Sequence, residues 1–373
     1  MSDFPANLFP RTSRIIQQGI AEQLHRGVQL YISRDGQVLV DAALGENVPG
    51  APLTRDHILP WLSAGKPLTA TLILQRTEAG LIELEQPVAS IIPEFAASGK
   101  EFLTLKALLT HSAGLKPIAT GWPRRSWQDI VDKICQSGTR RDGATAAYDP
   151  ARSWFILGEI LQRIDSKQRS IDQIMREDLL LPLGMNNCWL AIPENRFEDF
   201  RSRLGQTDTS QNGRLTPASG NSREYCLTPS PGGSLRGPIR ELGRFYEMLL
   251  RGGTTHSGQV ILQPETVRLM TRRHRQGEFD VTFQHVVDFG LGIIVNSNRY
   301  GAETVPYGFG KFAGEAAFGH GGSQSSIGFA DPDNRLVVAA VANGLPGEEV
   351  HNRRFRDLNT AIYEDLSLLH RLP

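Results

Sequence analysis

Ser63 and Lys66 form a pair of residues that can carry out nucleophilic chemistry. They lie three positions apart, directly before the apolar residues Leu68, Leu72 and Ile73. Residues at i and i+3 of a helix share a face, so the lysine amine can reach the serine hydroxyl. A serine is a weak nucleophile without an adjacent base, and a lysine is such a base when its pKa is lowered. The alternative interpretation is a helix-capping serine beside a solvated lysine.

Five further segments follow this pair along the chain. They are Leu108–Leu115, Tyr148–Gly158, Pro182–Met185, Pro231–Phe245 and Gly319–Ser323. In order and spacing, these segments and the serine–lysine pair resemble the serine beta-lactamase and penicillin-binding-protein-like superfamily between residues 25 and 345. Within it, the chain looks most similar to the class C and family VIII carboxylesterase branch. Each motif is short, but together they favour a nucleophilic serine over a capping one.

The resemblance implies a catalytic role for three residues. Ser63 matches the nucleophile of the family, and Lys66 matches its partner lysine. Tyr148 matches the tyrosine of the second motif, which passes a proton between the serine and the leaving group. The backbone N–H groups of Ser63 and Ser323 correspond to the oxyanion hole, which stabilises the negative charge of the tetrahedral intermediate.

The resemblance also implies substrate-binding residues in the last quarter of the chain. His320, Gly321 and Gly322 match the third motif, which is Lys-Thr-Gly in beta-lactamases and commonly His-x-Gly in esterase-like members. This motif lies on a strand beside the nucleophile, and its glycines let a substrate approach that strand closely. Asn343 falls where the last core strand ends near the site, so we assign it to substrate binding as well. His111 is interpreted as a packing residue at a helix end.

Several positions depart from the beta-lactamase pattern. The second motif reads Tyr148-Asp149-Pro150 instead of Tyr-x-Asn, and proline offers neither a side-chain amide nor a backbone N–H. In beta-lactamases that asparagine contacts the lysine and the acylamido group of the drug, so its loss argues against beta-lactam hydrolysis. Pro67 follows Lys66 directly, as in many family VIII esterases, and fits only the first turn of a helix. The Gly-x-Ser-x-Gly signature of alpha/beta-hydrolases is absent from the sequence.

The spacing of apolar residues predicts the helices and strands that must position these side chains. An amphipathic helix is predicted around Ile15–Leu24, and Asp35-Gly36 between two apolar runs predicts a β-hairpin. The middle of the chain has the apolar spacing of helices, with capping pairs at Ser126 and Ser170. Three strands are predicted near the end of the chain, at Phe289–Val295, Ser326–Ala330 and Leu336–Ala342.

Strands near both ends with helices between them predict an α+β fold. The family resemblance implies the same beta-lactamase-like architecture: an antiparallel sheet flanked by helices, with an all-helical region inserted between N- and C-terminal sheet segments. We expect one catalytic domain over residues 1–373, with an α/β part at 1–77 and 226–373 and a mainly helical part at 78–225.

The composition argues against several classes of protein. Lysine plus arginine equals aspartate plus glutamate, at 40 each, so the chain lacks the basic surplus of a nucleic-acid-binding protein. No basic run or long apolar stretch indicates a membrane partner. The first residues lack a secretion signal, and Cys135, Cys188 and Cys226 form no metal-ligand or disulfide pattern. We expect a cytoplasmic protein with no metal or organic cofactor, and the sequence does not define its oligomeric state.

The sequence therefore predicts a serine hydrolase that works through an acyl-enzyme, a carboxylesterase on small or medium esters. An acyltransferase is the first alternative, because it would use the same nucleophile. A beta-lactamase or D-amino-acid peptidase is the second. A non-catalytic binding protein on this fold is the third, and the retention of Ser63, Lys66 and Tyr148 argues against it.

Overall fold

Asp35 and Gly36 reverse the chain between the first two strands. Both residues have positive φ angles, 55° and 75°, as a type I′ hairpin turn requires. On either side of the turn, β1 (Gly27–Arg34) pairs with β2 (Gln37–Val48). The predicted hairpin is confirmed.

The computed structural model describes residues 4–369 and joins both ends of the chain in one antiparallel sheet. The other strands are β3 (Ala51–Pro52), β4 (Leu59–Pro60), β5 (Asp208–Gln211), β6 (Arg214–Pro217), β7 (Arg236–Gly237), β8 (Phe279–Asp280), β9 (His285–Val286), β10 (Ile294–Val295), β11 (Phe318–Gly322), β12 (Ser326–Asp331), β13 (Leu336–Ala342) and β14 (Gly344–Leu345). The central sheet has seven strands in the order β10–β11–β12–β13–β1–β2–β3. The N-terminal hairpin therefore lies beside the C-terminal strands, with Val28 opposite Ala342.

Helices cover both faces of this sheet. They are α1 (Pro10–Ala21), α2 (Lys66–Glu78), α3 (Leu105–Leu109), α4 (Trp127–Gln136), α5 (Arg152–Arg163), α6 (Ile171–Met175), α7 (Phe197–Phe200), α8 (Arg223–Leu227), α9 (Ile239–Leu250), α10 (Pro264–Thr271) and α11 (Glu348–Asp365). Side chains of α2, α5 and α9 form one core with one face of the sheet, and those of α1 and α11 form a second core with the other face. Because both faces are covered, β13 is apolar and buried at every position. Among the helices of residues 4–369, none is long and apolar enough to cross a membrane.

The strand predicted at Phe289–Val295 is wrong in extent. Only its last two residues form a strand, because the chain turns at Gly290, whose N–H donates to the Ile293 carbonyl at 2.8 Å. Gly292 completes the turn with a φ of 69°. The two strands predicted after it coincide with β12 and β13, and the α+β fold built from both ends of the chain is confirmed.

The three cysteines are isolated in the core. Cys135, Cys188 and Cys226 are buried free thiols. Burial raises the pKa of each thiol, so these side chains stay protonated and unreactive.

Candidate active site

Ser63 lies in a 3₁₀ turn that precedes the α-helix. The turn spans Leu62–Gly65, and α2 begins at Lys66. Side chains at i and i+3 of a 3₁₀ turn are almost aligned along its axis. Lys66 Nζ accordingly lies 3.0 Å from Ser63 Oγ. The structure thus brings the predicted pair together, through a tighter turn than the shared α-helical face that the spacing suggested.

The sheet holds this turn in place. Ser326, on β12, donates a hydrogen bond from its hydroxyl to the Trp61 carbonyl at 2.6 Å. Gly322 lies against the same carbonyl, since a Cβ there would be 2.1 Å from that oxygen. Leu62 has a φ of 50°, in the left-handed region that leucine rarely adopts, and such positions cluster at functional sites. The turn that carries Ser63 is therefore packed tightly against the strands.

Lys66 is wholly buried and contacts three acceptors. Nζ lies 3.0 Å from Ser63 Oγ, 2.8 Å from the Pro150 carbonyl and 2.6 Å from the Gly232 carbonyl. Burial lowers the pKa of Lys66 to about 7, although the Asp149 carboxylate opposes the shift. At pH 8 most molecules therefore carry a neutral amine. The neutral amine has two N–H bonds, which can donate to the Pro150 and Gly232 carbonyls. Its lone pair then faces the Ser63 hydroxyl.

Pro150 contributes to the site through its backbone. Its carbonyl accepts a hydrogen bond from Lys66, the residue that the asparagine of the family motif contacts with its amide. The backbone thereby replaces one contact of the asparagine, but the proline side chain has no donor for an acylamido group. Pro67 lies in the first turn of α2, where a missing N–H is tolerated.

Tyr148 is buried beside the serine–lysine pair. Its ring centroid lies 5.4 Å from Lys66 Nζ. Burial raises the pKa of Tyr148 far above its usual value, the Ser63 hydroxyl partly opposes this, and the Asp149 carboxylate adds to it. The phenol therefore stays protonated at neutral pH. In this state it can donate a proton to a leaving group, but it cannot remove one from the serine.

A buried ion pair outside the predicted motifs holds the backbone of Tyr148. Asp280 Oδ1 accepts a hydrogen bond from the Tyr148 N–H at 3.0 Å. Its Oδ2 accepts one from Arg275 Nη2 at 2.7 Å, and both side chains are almost fully buried. Arg275 Nη1 also donates to the His111 carbonyl at 2.9 Å. The ion pair thus ties the second motif to the segment that contains His111.

The turn after Asp280 completes this support. Thr282 Oγ1 donates to the Tyr148 carbonyl at 3.0 Å, and the Phe283 ring stacks on the Tyr148 ring with centroids 4.5 Å apart. Sequence reasoning missed these residues, because Arg275 and Asp280 lie in a polar stretch typical of an exposed turn. The aromatic side chains within that stretch were the signal that could have indicated a buried role.

His111 packs on Tyr148 as a neutral residue. Its Nδ1 accepts a hydrogen bond from the Asp149 N–H at 3.0 Å, which places the ring proton on Nε2. Burial lowers the pKa of His111 well below its usual value, and the Arg275 charge adds to the effect. The His111 and Tyr148 ring centroids are 4.6 Å apart. The structure therefore agrees with the predicted packing role.

We expect Thr282→Val to lower kcat about threefold to tenfold, because it removes the donor to the Tyr148 carbonyl and lets the tyrosine move. Thr282 is exposed, so the free energy of unfolding should change little. Steady-state hydrolysis of p-nitrophenyl acetate and thermal unfolding measure the two quantities. Thr282→Ser keeps the hydroxyl and should retain the kcat of the wild type. An unchanged kcat in the valine variant would show that this bond does not position Tyr148.

His320, on β11, faces Tyr148 and is wholly buried. The two ring centroids are 5.9 Å apart, and His320 Nδ1 lies 2.7 Å from the Gly321 carbonyl, to which it donates. Burial lowers the pKa of His320 to about 3, and the Lys66 charge adds to the shift. The ring is therefore neutral at physiological pH. It cannot supply the positive charge that a lysine supplies at this position in beta-lactamases.

Gly321 and Gly322 are required by contacts within the protein. A Cβ at Gly321 would lie 1.9 Å from the Tyr307 ring, and one at Gly322 would lie 2.1 Å from the Trp61 carbonyl. The absence of side chains thus lets β11 pack between Tyr307 and the turn that carries Ser63. A contact between these glycines and the substrate stays a prediction.

Asn343 is bound to the protein backbone, and its contact with substrate stays a prediction. The side chain is wholly buried. Oδ1 accepts hydrogen bonds from the backbone N–H groups of Arg26 at 3.0 Å and Gly27 at 2.8 Å, and Nδ2 donates to the Glu46 carbonyl at 2.9 Å. Both ends of the amide are therefore bound to the backbone around β1 and β2. Asn343 fastens the end of β13 to the hairpin.

Ser323 directly follows β11, and its hydroxyl is bound to an acid. Ser323 Oγ donates to Glu348 Oε1 at 2.5 Å, and Tyr307 Oη donates to Glu348 Oε2 at 3.0 Å. Glu348 is the first residue of α11 and is exposed. The backbone N–H of Ser323 stays the predicted second donor of the oxyanion hole.

Comparisons with known proteins support this fold. The family model described as Beta-lactamase matches residues 12–361. The chain is 27% identical over 355 residues to the esterase/beta-lactamase LipL of Mycobacterium tuberculosis (strain ATCC 25618 / H37Rv), covering 86% of this chain and 77% of the relative. It is 27% identical over 320 residues to penicillin-binding protein 4 of Amycolatopsis lactamdurans, covering 83% and 78%. The crystal structure of a family VIII carboxylesterase covers 96% of this chain and 97% of its own, with a TM-score of 0.76 and 22% identity.

A serine beside a buried lysine, on an α+β fold of this topology, defines a class of serine hydrolases. The family model spans most of the chain, so the protein belongs to the beta-lactamase family. It is therefore a serine hydrolase, and the interpretation as a non-catalytic binding protein is not supported.

Proposed function

We propose that this serine hydrolase is a carboxylesterase that acts on small or medium esters through an acyl-enzyme on Ser63. The observation that carries the proposal is the 3.0 Å contact between Lys66 Nζ and Ser63 Oγ. Burial lowers the pKa of that lysine to about 7, so a neutral amine is available as a base near physiological pH. The M. tuberculosis relative, described as an esterase/beta-lactamase, supports ester chemistry for this chain.

Acylation begins as the Ser63 oxygen attacks the ester carbonyl and passes its proton to the neutral Lys66 amine. The carbonyl oxygen becomes an oxyanion, which the proposal places at the backbone N–H groups of Ser63 and Ser323. When the C–O bond of the ester breaks, the Tyr148 phenol protonates the leaving alkoxide. The Lys66 ammonium then returns a proton to Tyr148. The products are the free alcohol and an ester of Ser63, and the base is neutral again.

Deacylation repeats these steps with water as the nucleophile. The water oxygen attacks the Ser63 ester and passes a proton to Lys66, and Tyr148 protonates the departing serine oxygen. The products are the carboxylic acid and the free enzyme. An alcohol in place of water would give a new ester by the same steps, which is how an acyltransferase would work at this site.

Two features of the site favour esters over beta-lactams. Pro150 has no side-chain amide to bind an acylamido group. His320 is neutral, because burial lowers its pKa to about 3, so the third motif offers no charge to the carboxylate of a beta-lactam. The penicillin-binding relative makes beta-lactam binding the competing expectation.

The intact mass of the protein after exposure to p-nitrophenyl esters or to benzylpenicillin tests the proposal. We expect the esters to give an acyl adduct on Ser63 that forms and disappears during turnover, and the penicillin to acylate slowly at most. Free acid should be the product, and new ester in the presence of an added alcohol would indicate an acyltransferase. Hydrolysis of benzylpenicillin with a kcat of about 10 per second, the median for enzymes, would overturn the proposal.

A further inference from the structure

Glu348 places a carboxylate beside the predicted oxyanion hole. Its Oε1 accepts the hydrogen bond from Ser323 Oγ at 2.5 Å. The nitrogen and Oγ of one serine are about 3 Å apart by covalent geometry, so this carboxylate oxygen lies within roughly 6 Å of the Ser323 nitrogen. An oxyanion bound there would form close to a fixed negative charge.

Tyr307 holds this carboxylate on the side of the site where Tyr148 lies. Tyr307 Oη donates to Glu348 Oε2 at 3.0 Å. The Tyr307 ring packs on Gly321, and its centroid is 5.6 Å from that of Phe283, which stacks on Tyr148. Burial is the main cause of the raised pKa of Tyr307, and the charge of Glu348 is the next. The two hydrogen bonds therefore fix the orientation of the Glu348 carboxylate. Its negative charge acts on the Tyr307 side chain within the site.

The basic side chains nearest Ser63 carry little charge in the resting enzyme. Burial lowers the pKa of Lys66 to about 7, so the amine is mostly neutral at pH 8. Burial lowers the pKa of His320 to about 3 and that of His111 well below its usual value, so both rings are neutral as well.

The other acidic side chains near Tyr148 have partners of their own. Asp149 pairs with Arg152 at 3.0 Å, and Asp280 pairs with Arg275 at 2.7 Å. Each pair is buried and carries no net charge. Glu348 differs from these acids, because it is exposed and forms no ion pair within residues 4–369.

We propose that Glu348 determines the charge specificity of the site and that the preferred substrates are esters that carry a cationic group, such as an ammonium. The inference rests on the proposed esterase function and adds the class of substrate to it. A cation near Glu348 binds the carboxylate directly. It also removes the repulsion between that carboxylate and the oxyanion, so the effect extends to the transition state. A carboxylate on the substrate has the opposite effect.

Matched p-nitrophenyl esters test this specificity: butyrate, its 4-trimethylammonio derivative and the hemiester of glutaric acid. A second series places the same charges on the leaving alcohol. We expect kcat/KM of the wild type to be about tenfold higher for the cationic than for the neutral ester in at least one series, and lower for the anionic ester. Because Glu348 is exposed, this preference should weaken as the salt concentration rises.

Glu348→Gln should bring the ratio of cationic to neutral kcat/KM close to one, and Glu348→Asp should keep part of it. Glu349→Gln is the matched control, because it removes the same charge from the next exposed residue of α11 and should keep the wild-type ratio. A wild-type ratio in Glu348→Gln, or a wild-type preference for the anionic ester, overturns the inference. Turnover of the neutral ester without any charge preference overturns the inference but keeps the esterase proposal. Failure of every ester to react at Ser63 overturns both.

Discussion

Ser63→Ala is expected to abolish ester hydrolysis, with kcat at least about 10⁴-fold lower, because the variant has no nucleophile to form the acyl-enzyme. Labelling by a fluorophosphonate should be lost at the same time. The assays are turnover of p-nitrophenyl butyrate and the intact mass of the labelled protein. The residual rate should come from binding and from the oxyanion hole.

The fold of this variant should survive, so loss of activity will report on chemistry. Ser63 is half-buried, and its hydroxyl bonds with the side chains of Lys66 and Tyr148. Circular dichroism and the thermal unfolding midpoint should therefore match those of the wild type. Turnover or labelling at the wild-type level in a folded Ser63→Ala protein would show that another residue is the nucleophile.

Lys66→Met is expected to lower kcat about 10³-fold to 10⁴-fold, since the variant loses the general base but keeps the nucleophile. Methionine is apolar and close to lysine in length, so it can fill the buried space of the Lys66 side chain without a charge. Steady-state hydrolysis and the rate of fluorophosphonate labelling should fall together, because both need a deprotonated Ser63.

Lys100 supplies a matched control for this substitution. It is also a wholly buried lysine, and its Nζ donates to three backbone carbonyls, those of Ala97, Cys135 and Ser137. Lys100 has no serine hydroxyl among these acceptors, whereas Lys66 has Ser63. Lys100→Met should therefore lower stability but leave kcat of the folded protein near that of the wild type. An equal loss of kcat in both variants would mean that Lys66 acts through packing.

The pH dependence gives a second measure of the Lys66 base. The neutral amine is the active form, and burial lowers the pKa of Lys66 to about 7. In the wild type, kcat/KM should rise about tenfold per pH unit below that pKa and level off above it. A lysine with its usual pKa would instead let the rate rise toward pH 10. A profile that still rises at pH 9 would contradict the lowered pKa.

The sequence predicted the candidate catalytic residues and determined the fold that carries them. The serine–lysine pair is identified by residue type and short spacing, the Asp35-Gly36 hairpin and β13 by local pattern, and the third motif by the family resemblance. Such signals are local, because helix and strand periods and turn preferences act over a few residues. The family resemblance added Tyr148, which a single-residue pattern does not distinguish from a core aromatic.

The tertiary structure decided which of these residues can act, and in what state. The sequence assigned Asn343 to substrate binding, and the structure binds its amide to backbone groups 297 to 317 residues away along the chain. The Asp280–Arg275 pair that holds Tyr148, and the Glu348 carboxylate beside Ser323, were not predicted at all.

These features depend on groups that are distant in sequence and close in space. Lys66 is neutral near physiological pH because the folded chain removes water from around it, and the two carbonyls that hold it come from residues 84 and 166 positions further on. The type of a side chain and its place in a sequence pattern indicate which chemistry it could perform. Its pKa and its free hydrogen-bonding capacity depend on burial and on neighbours that only the packed structure brings together.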